Sequence, residues 1–317
     1  MRSIDAFAFV KGTEVRNLLF YGLLPNLDAF LPIERLAHLA LYICSIRLFH
    51  HGHVLGEKTN EVADRLFTQF YIDHELFYAD LQNFKLHLHS HYAAMYRMHG
   101  ALSNVSCFGP EDLIGSVSSN VHGTRSYGES IVYYYNIEFH LNDKKQQATT
   151  TNGPHDLSTT MANDYDDVRK THATVCICDQ VNSCCAIYRR FIIREAMFHS
   201  LSYPRRQSSI SYFVTYASEH DGEDRRFGAI EYFFTCANIG YAAIRQHRVK
   251  RPYSDSFKMS GYYFLLRKPL DSLYFVLDKS HFELVIVRTD LISSHCIVVE
   301  KTAHLLVAPF TSYSEHD

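Results

Sequence analysis

Two histidines, His87 and His91, stand four residues apart in the stretch KLHLHSHY, and an acid, Glu111, follows twenty residues after the second. Side chains at i and i+4 share one face of a helix. Two imidazoles so placed can grip one metal ion, and a later carboxylate can join them in the fold. The plainer alternative makes His87, His89 and His91 helix-surface or half-buried histidines that bond to neighbours, since a chain with 20 histidines puts some at this spacing by chance. Glu111 likewise follows Gly109-Pro110 and fits the first turn of a helix, where the macrodipole stabilises an acid by roughly 0.3–1 kcal/mol.

Other constellations offer less chemistry. Cys176, Cys178, Cys184 and Cys185 could form a soft-metal cluster, but alternation with Val175 and Ile177 fits strand residues better, free cysteine being a common small core hydrophobe. The most basic run, RQHRVKR, carries Arg245, Arg248, Lys250 and Arg251, and YPRR at 203–206 is the second. Such runs can meet phosphates; basic residues also blunt exposed strand edges, and that is the plainer reading of both. No P-loop, Rossmann glycine motif, G-x-S-x-G or H-E-x-x-H is present. Gly222 and Gly228 read as turn glycines.

The elements that must carry these residues change character near residue 140. Before it, apolar residues recur three and four apart, which predicts helices at 14–21, 33–49 and 61–77, the last on Val62, Ala63, Leu66, Phe67 and Phe70. Pro32 opens the second, where a missing N–H costs nothing. Further helices are expected at 83–98 and starting close to Glu111. The polar stretch 142–167, with Gly and Pro and no periodicity, reads as a linker. Beyond it, short β-branched and aromatic runs predict strands at 175–178, 187–193, 211–216, 228–235, 241–249, 262–266, 272–276, 282–287 and 296–299. The expected fold is α+β: an all-helical module at 1–141, a linker at 142–170, and a small β-barrel or sandwich at 171–317.

Composition bounds the class. Hydrophobic residues make up 47% of the 317 and charged residues 21%, enough to bury a core and unlike a disordered chain. A net charge of −3 gives no global positive field toward nucleic acid. No segment approaches the roughly 20 apolar residues of a membrane span; the best, 36–49, is broken by His38, Ser45 and Arg47. The start, MRSIDAFAFVKGTE, carries Asp5 and no long apolar run, so a secreted protein is not expected. The eight scattered cysteines then read as reduced thiols of the cytosol or nucleus.

The segment 85–131 resembles the conserved end of the CACTA/En-Spm group of DDE transposases. There a histidine pair spaced like His87 and His91 precedes a Phe-x-x-Glu signature, then a glycine, a valine and a closing Ser-Ile. The matching residues here are Phe108, Glu111, Gly115, Val121 and Ser130-Ile131. KGTEVRNLLFY at 11–21, FGAIEYFF and HLLVAPF are similar to metazoan relatives.

In such enzymes three carboxylates hold two divalent ions about 4 Å apart around the reacting phosphodiester. The resemblance makes Glu111 the third acid. It puts two aspartates on a preceding RNase H-like sheet, which ten residues upstream of Lys11 cannot form. It also makes the histidine pair half of a structural zinc site completed by an upstream Cys-x-x-Cys, a motif this sequence lacks. Where relatives carry basic residues, this chain has Ser118 and Ser119, leaving His122 and Arg125 as phosphate contacts.

The expectation is a transposase-derived protein, the C-terminal part of a DDE transposase, without independent catalysis. Zn2+ or Mg2+/Mn2+ enters only if another chain supplies the missing ligands. DNA or a partner transposase chain is the implied partner, with no membrane role, and the nucleus the implied compartment, the cytoplasm otherwise. The alternative is a domesticated module that binds nucleic acid, chromatin or protein through Arg245, Arg248, Lys250 and Arg251.

Overall fold

A computed structural model of the protein describes residues 12–79, 83–105, 114–115, 127–149, 152–155, 173, 186–203, 212–218 and 225–310. Its first half is helical. Helix α1 (Gly12–Asn17) runs through a π-turn (Leu18–Gly22) into α2 (Leu23–Leu27), followed by α3 (Ile33–His50) and α4 (Thr59–Tyr78). The expected helix at 83–98 is two pieces, α5 (Phe84–Leu88) and α6 (Tyr92–His99), joined by a 3-10 turn (His89–His91). Asn83 caps α5, its Oδ1 accepting the Leu86 N–H at 3.0 Å. The expected helix start at Glu111 lies outside the described residues. Helix α7 (Tyr127–Thr149) spans the tyrosine-rich stretch and runs into the segment expected as linker.

Helix α3 is buried on nearly every side, and the three polar residues that interrupt its apolar run each reach a neighbour. Ser45 donates to the Ala63 carbonyl at 2.7 Å. His38 donates through Nε2 to the Phe70 carbonyl at 3.1 Å, its ring stacked on Phe70 and Phe77. Arg47 reaches across to the β-rich half. Buried polar groups are tolerated when they are hydrogen-bonded, so the helix keeps them without facing water.

The second half is a closed barrel. Among the described residues ten strands follow in order: β1 (Gly153–Pro154), β2 (Ala186–Tyr188), β3 (Arg190–Ile193), β4 (Ala196–His199), β5 (Phe213–Ala217), β6 (Arg225–Cys236), β7 (Ile239–Pro252), β8 (Phe275–Arg288), β9 (Ile292–Glu300) and β10 (His304–Pro309). Strands β6, β5, β9, β10, β8 and β7 are hydrogen-bonded in that order, and β7 pairs back to β6. Closure removes free sheet edges over most of the barrel. β1, β3 and β4 form a separate small sheet.

Three sequence expectations are corrected. The strands expected at 272–276 and 282–287 are one, β8, which begins only at Phe275 because Ser272 and Leu273 end a helix. Residues 262–266, read as a strand, begin helix α8 (Tyr263–Leu273). Their aromatic content is strand-like, but the burial of Leu266, Leu270 and Leu273 has the helical period, and Phe264, two residues before Leu266, is 86% exposed. Gly228 is no turn glycine. It sits inside β6 opposite Gln246, where a Cβ would stand 2.5 Å from the Arg245 carbonyl oxygen and closer still to the Ile244 side chain. The expected strand at 175–178 lies outside the described residues.

The helices and the barrel share one core. Tyr253, Phe257, Leu266, Leu270 and Tyr274, from the connection between β7 and β8, cluster with Leu41, Phe49 and Phe67 of the helices. Polar ties cross the same boundary. Glu34 on α3 accepts from Ser260 Oγ at 2.7 Å and from the Gly261 N–H at 3.0 Å, and Tyr262 donates to Asp73 on α4 at 2.9 Å.

Burial of histidines in this shared core sets a pH dependence. Burial holds the His38 pKa down to about 4. For His51, burial and then Arg47, His50 and Arg16 push it to about 2. The unfolded chain protonates both near 6.5, so below that pH it takes up protons the folded chain refuses. Their contribution to stability is full above about pH 6.5 and declines on acidification by up to about 1.4 kcal/mol per pH unit for each histidine. The His38 share is lost completely below about pH 4. We expect the urea midpoint to fall steadily from pH 7 to pH 5; a constant midpoint across that range would contradict the burial argument.

Candidate functional site

His87 and His91 stay adjacent, their ring centroids 5.4 Å apart, His87 on α5 and His91 on the 3-10 turn that follows. Both are exposed. His89 turns inward against Tyr42, Phe67 and Tyr92, and burial lowers its pKa. Among the described residues no three His, Cys, Asp or Glu side chains converge as a metal set. Glu111, His122, Arg125 and the four cysteines at 176–185 lie outside the described residues, as do Arg205 and Arg206. Cys44 and Cys296 are buried thiols whose pKa burial raises, that of Cys44 to about 12, so neither is a reactive thiolate at neutral pH.

The basic run divides along β7. Arg245 lies where β7 has a partner on both sides, and its guanidinium grips Glu231 through two hydrogen bonds, one of them from Nη2 at 2.6 Å. Arg248 sits 3.9 Å from Glu283, both well exposed. Pairing with β6 ends at His247, opposite Phe227, whereas pairing with β8 continues to Pro252. Among the described residues, the segment 249–252 therefore has a hydrogen-bonded neighbour on one side alone. Lys250 and Arg251 belong to this open end of the seam.

A cleft of about 950 Å³ opens there, between the seam and helix α3. Lys250, Arg251 and Arg225 lie along it, Arg47 closes it, and Phe275 and Val249 supply apolar wall. Arg47 is 1% exposed. Its guanidinium lies between the rings of Tyr21 and Tyr274, 4.6 Å from each centroid, and donates to the carbonyls of Leu273 (3.2 Å) and Pro309 (3.3 Å). Arg225 stands 5.9 Å from the ring centre of Phe275. Arg251 donates to Ser256 Oγ at 3.0 Å.

Among the described residues the cleft lining thus carries four cations against one carboxylate, Asp271. That carboxylate is occupied by the Ser254 N–H at 3.0 Å and the Ser254 hydroxyl at 2.9 Å. Asp278 lies near Lys250; its pKa is lowered first by the Ser280 N–H, then by His281, and least by Lys250. The surplus of positive charge in a partly apolar hollow suits an anion.

Sequence reading found Lys250 and Arg251 but missed Arg47 and Arg225. Arg47 was visible as a charge inside an apolar helical run, a pattern that marks a residue needing partners in the core. Arg225 carried no such signal, because the strand pairing alone brings it to the seam. No family model, curated protein or solved structure matches this chain.

Proposed function

We propose that the chain is a transposase-derived protein that binds nucleic acid and does not cut it alone. The cleft carries the reading: among the described residues, four cations with one engaged carboxylate gather at the barrel seam, in a chain whose net charge is −3. Positive charge gathered in one place despite a negative total is the footprint expected of phosphate recognition. The resemblance of 85–131 to the CACTA/En-Spm transposases supports a nuclear, DNA-facing origin. Glu111 is the descended catalytic position on this reading, and chemistry would require carboxylates and metal ions brought by a second chain.

Phosphate contacts release counterions, so affinity falls with salt by a slope of about 0.9 per contact in a log–log plot. Fluorescence anisotropy with a labelled DNA duplex should give a slope of about −2 to −3 between 50 and 300 mM KCl, the range for two to three contacts by Arg225, Lys250 and Arg251. The Lys250→Glu/Arg251→Glu double variant should bind at least about tenfold more weakly with a shallower slope. No binding at the lowest salt, or a variant indistinguishable from the parent, would remove the cleft from the reading.

A further inference from the structure

We infer that the cleft at the open end of the barrel seam is a site for a single phosphorylated nucleotide. Its closed end is Arg47, whose Nε–H is buried with no hydrogen-bond partner among the described residues although both Nη groups have one. Buried donors are nearly always paired, so the unmatched Nε–H leaves this end of the cleft electrostatically positive. Arg225, Lys250 and Arg251 line the way in. Guanidinium groups match phosphate oxygens in plane and spacing, and an ammonium adds a mobile point charge. The apolar part of the wall, Val249 and Phe275, offers a hydrophobic surface against which a base can pack.

Size argues for one nucleotide. Small-molecule sites run to about 300–1,000 Å³, and this cleft holds about 950 Å³. A terminal phosphate or a free nucleotide can place its phosphate among Arg225, Lys250 and Arg251 within the hollow, whereas a mid-strand phosphate of a continuous duplex is held out by its neighbours. Both sources present the same chemistry, a phosphate joined to an aromatic base. The inference does not need the duplex binding proposed above, and the two can fail separately.

The test is calorimetric titration of the full chain with 2′-deoxyadenosine 5′-monophosphate, beside 2′-deoxyadenosine and inorganic phosphate. One site is expected, with each half-ligand bound at least about tenfold more weakly than the whole. Lys250→Glu and Arg225→Ala, both at exposed positions, should each lose about tenfold or more while far-ultraviolet circular dichroism is unchanged. A single-stranded oligonucleotide then separates the sources. Competition by its 5′-phosphorylated form alone assigns a strand end, and no competition beside a normal monophosphate isotherm assigns the free nucleotide. Absence of heat at about 1 mM monophosphate, equal binding of 2′-deoxyadenosine, or folded variants that bind like the parent would each overturn the inference.

Discussion

Arg47→Ala is expected to cost about 3–5 kcal/mol of folding stability, read from urea or guanidinium unfolding of the purified chain. The substitution removes a cation held between two tyrosine rings, a contact worth about 2 kcal/mol when desolvated. It also strands the Leu273 and Pro309 carbonyls, which accept from Arg47 in the buried boundary between helices and barrel. Leaving such groups unpaired costs about 1–3 kcal/mol each, and partial hydration of the new hole offsets some of that. Arg47→Met should fall between parent and alanine variant, since it refills volume without restoring the bonds. A loss below about 1 kcal/mol for Arg47→Ala would mean that the two halves do not depend on this residue.

Gly228→Ala should cost about 3 kcal/mol, a large penalty for one methyl group. The new Cβ would meet the Arg245 carbonyl oxygen at 2.5 Å and the Ile244 side chain closer still. Backbone cannot rotate out of the way as a long side chain can, so β6 and β7 must separate locally. The register they share, Gly228 against Gln246 and Ala229 against Arg245, is the seam that closes the barrel. The same measurement on Gly261→Ala, where an added Cβ meets nothing within 4 Å, is the control and should shift by less than about 0.5 kcal/mol. Equal values for the two would refute the close-approach argument.

The helical half and the barrel were legible in the sequence because their signals are local. Periodicity placed α3 and α4 within a residue or two, and alternating runs found β5, β6, β7 and β9, while β8 was read as two strands, 272–276 and 282–287, the first of which overlaps the end of a helix. The misreading of 262–266 shows the limit: YYFLL is strand-like in composition, and only packing against α3 and α4 reveals that Leu266, Leu270 and Leu273 form one helical face. Lys250 and Arg251 were visible as charge. Their cleft was not, because it depends on where β6 stops pairing with β7, and nothing within one strand's sequence records the length of its partner. Arg47 stood in plain view as an interruption, yet its partners Leu273 and Pro309 are 226 and 262 residues away.

Those separations have a consequence for how the chain is made. At a synthesis rate of roughly 5–20 residues per second, α3 leaves the ribosome roughly 10–40 s before the β7–β8 connection that covers it. Throughout that interval Leu41, Phe49 and the Arg47 guanidinium lack the cover that Tyr253, Leu270, Tyr274 and Phe310 later supply. The first half of the polypeptide therefore carries an uncovered apolar face during that interval, and its packing is completed when the last strands arrive.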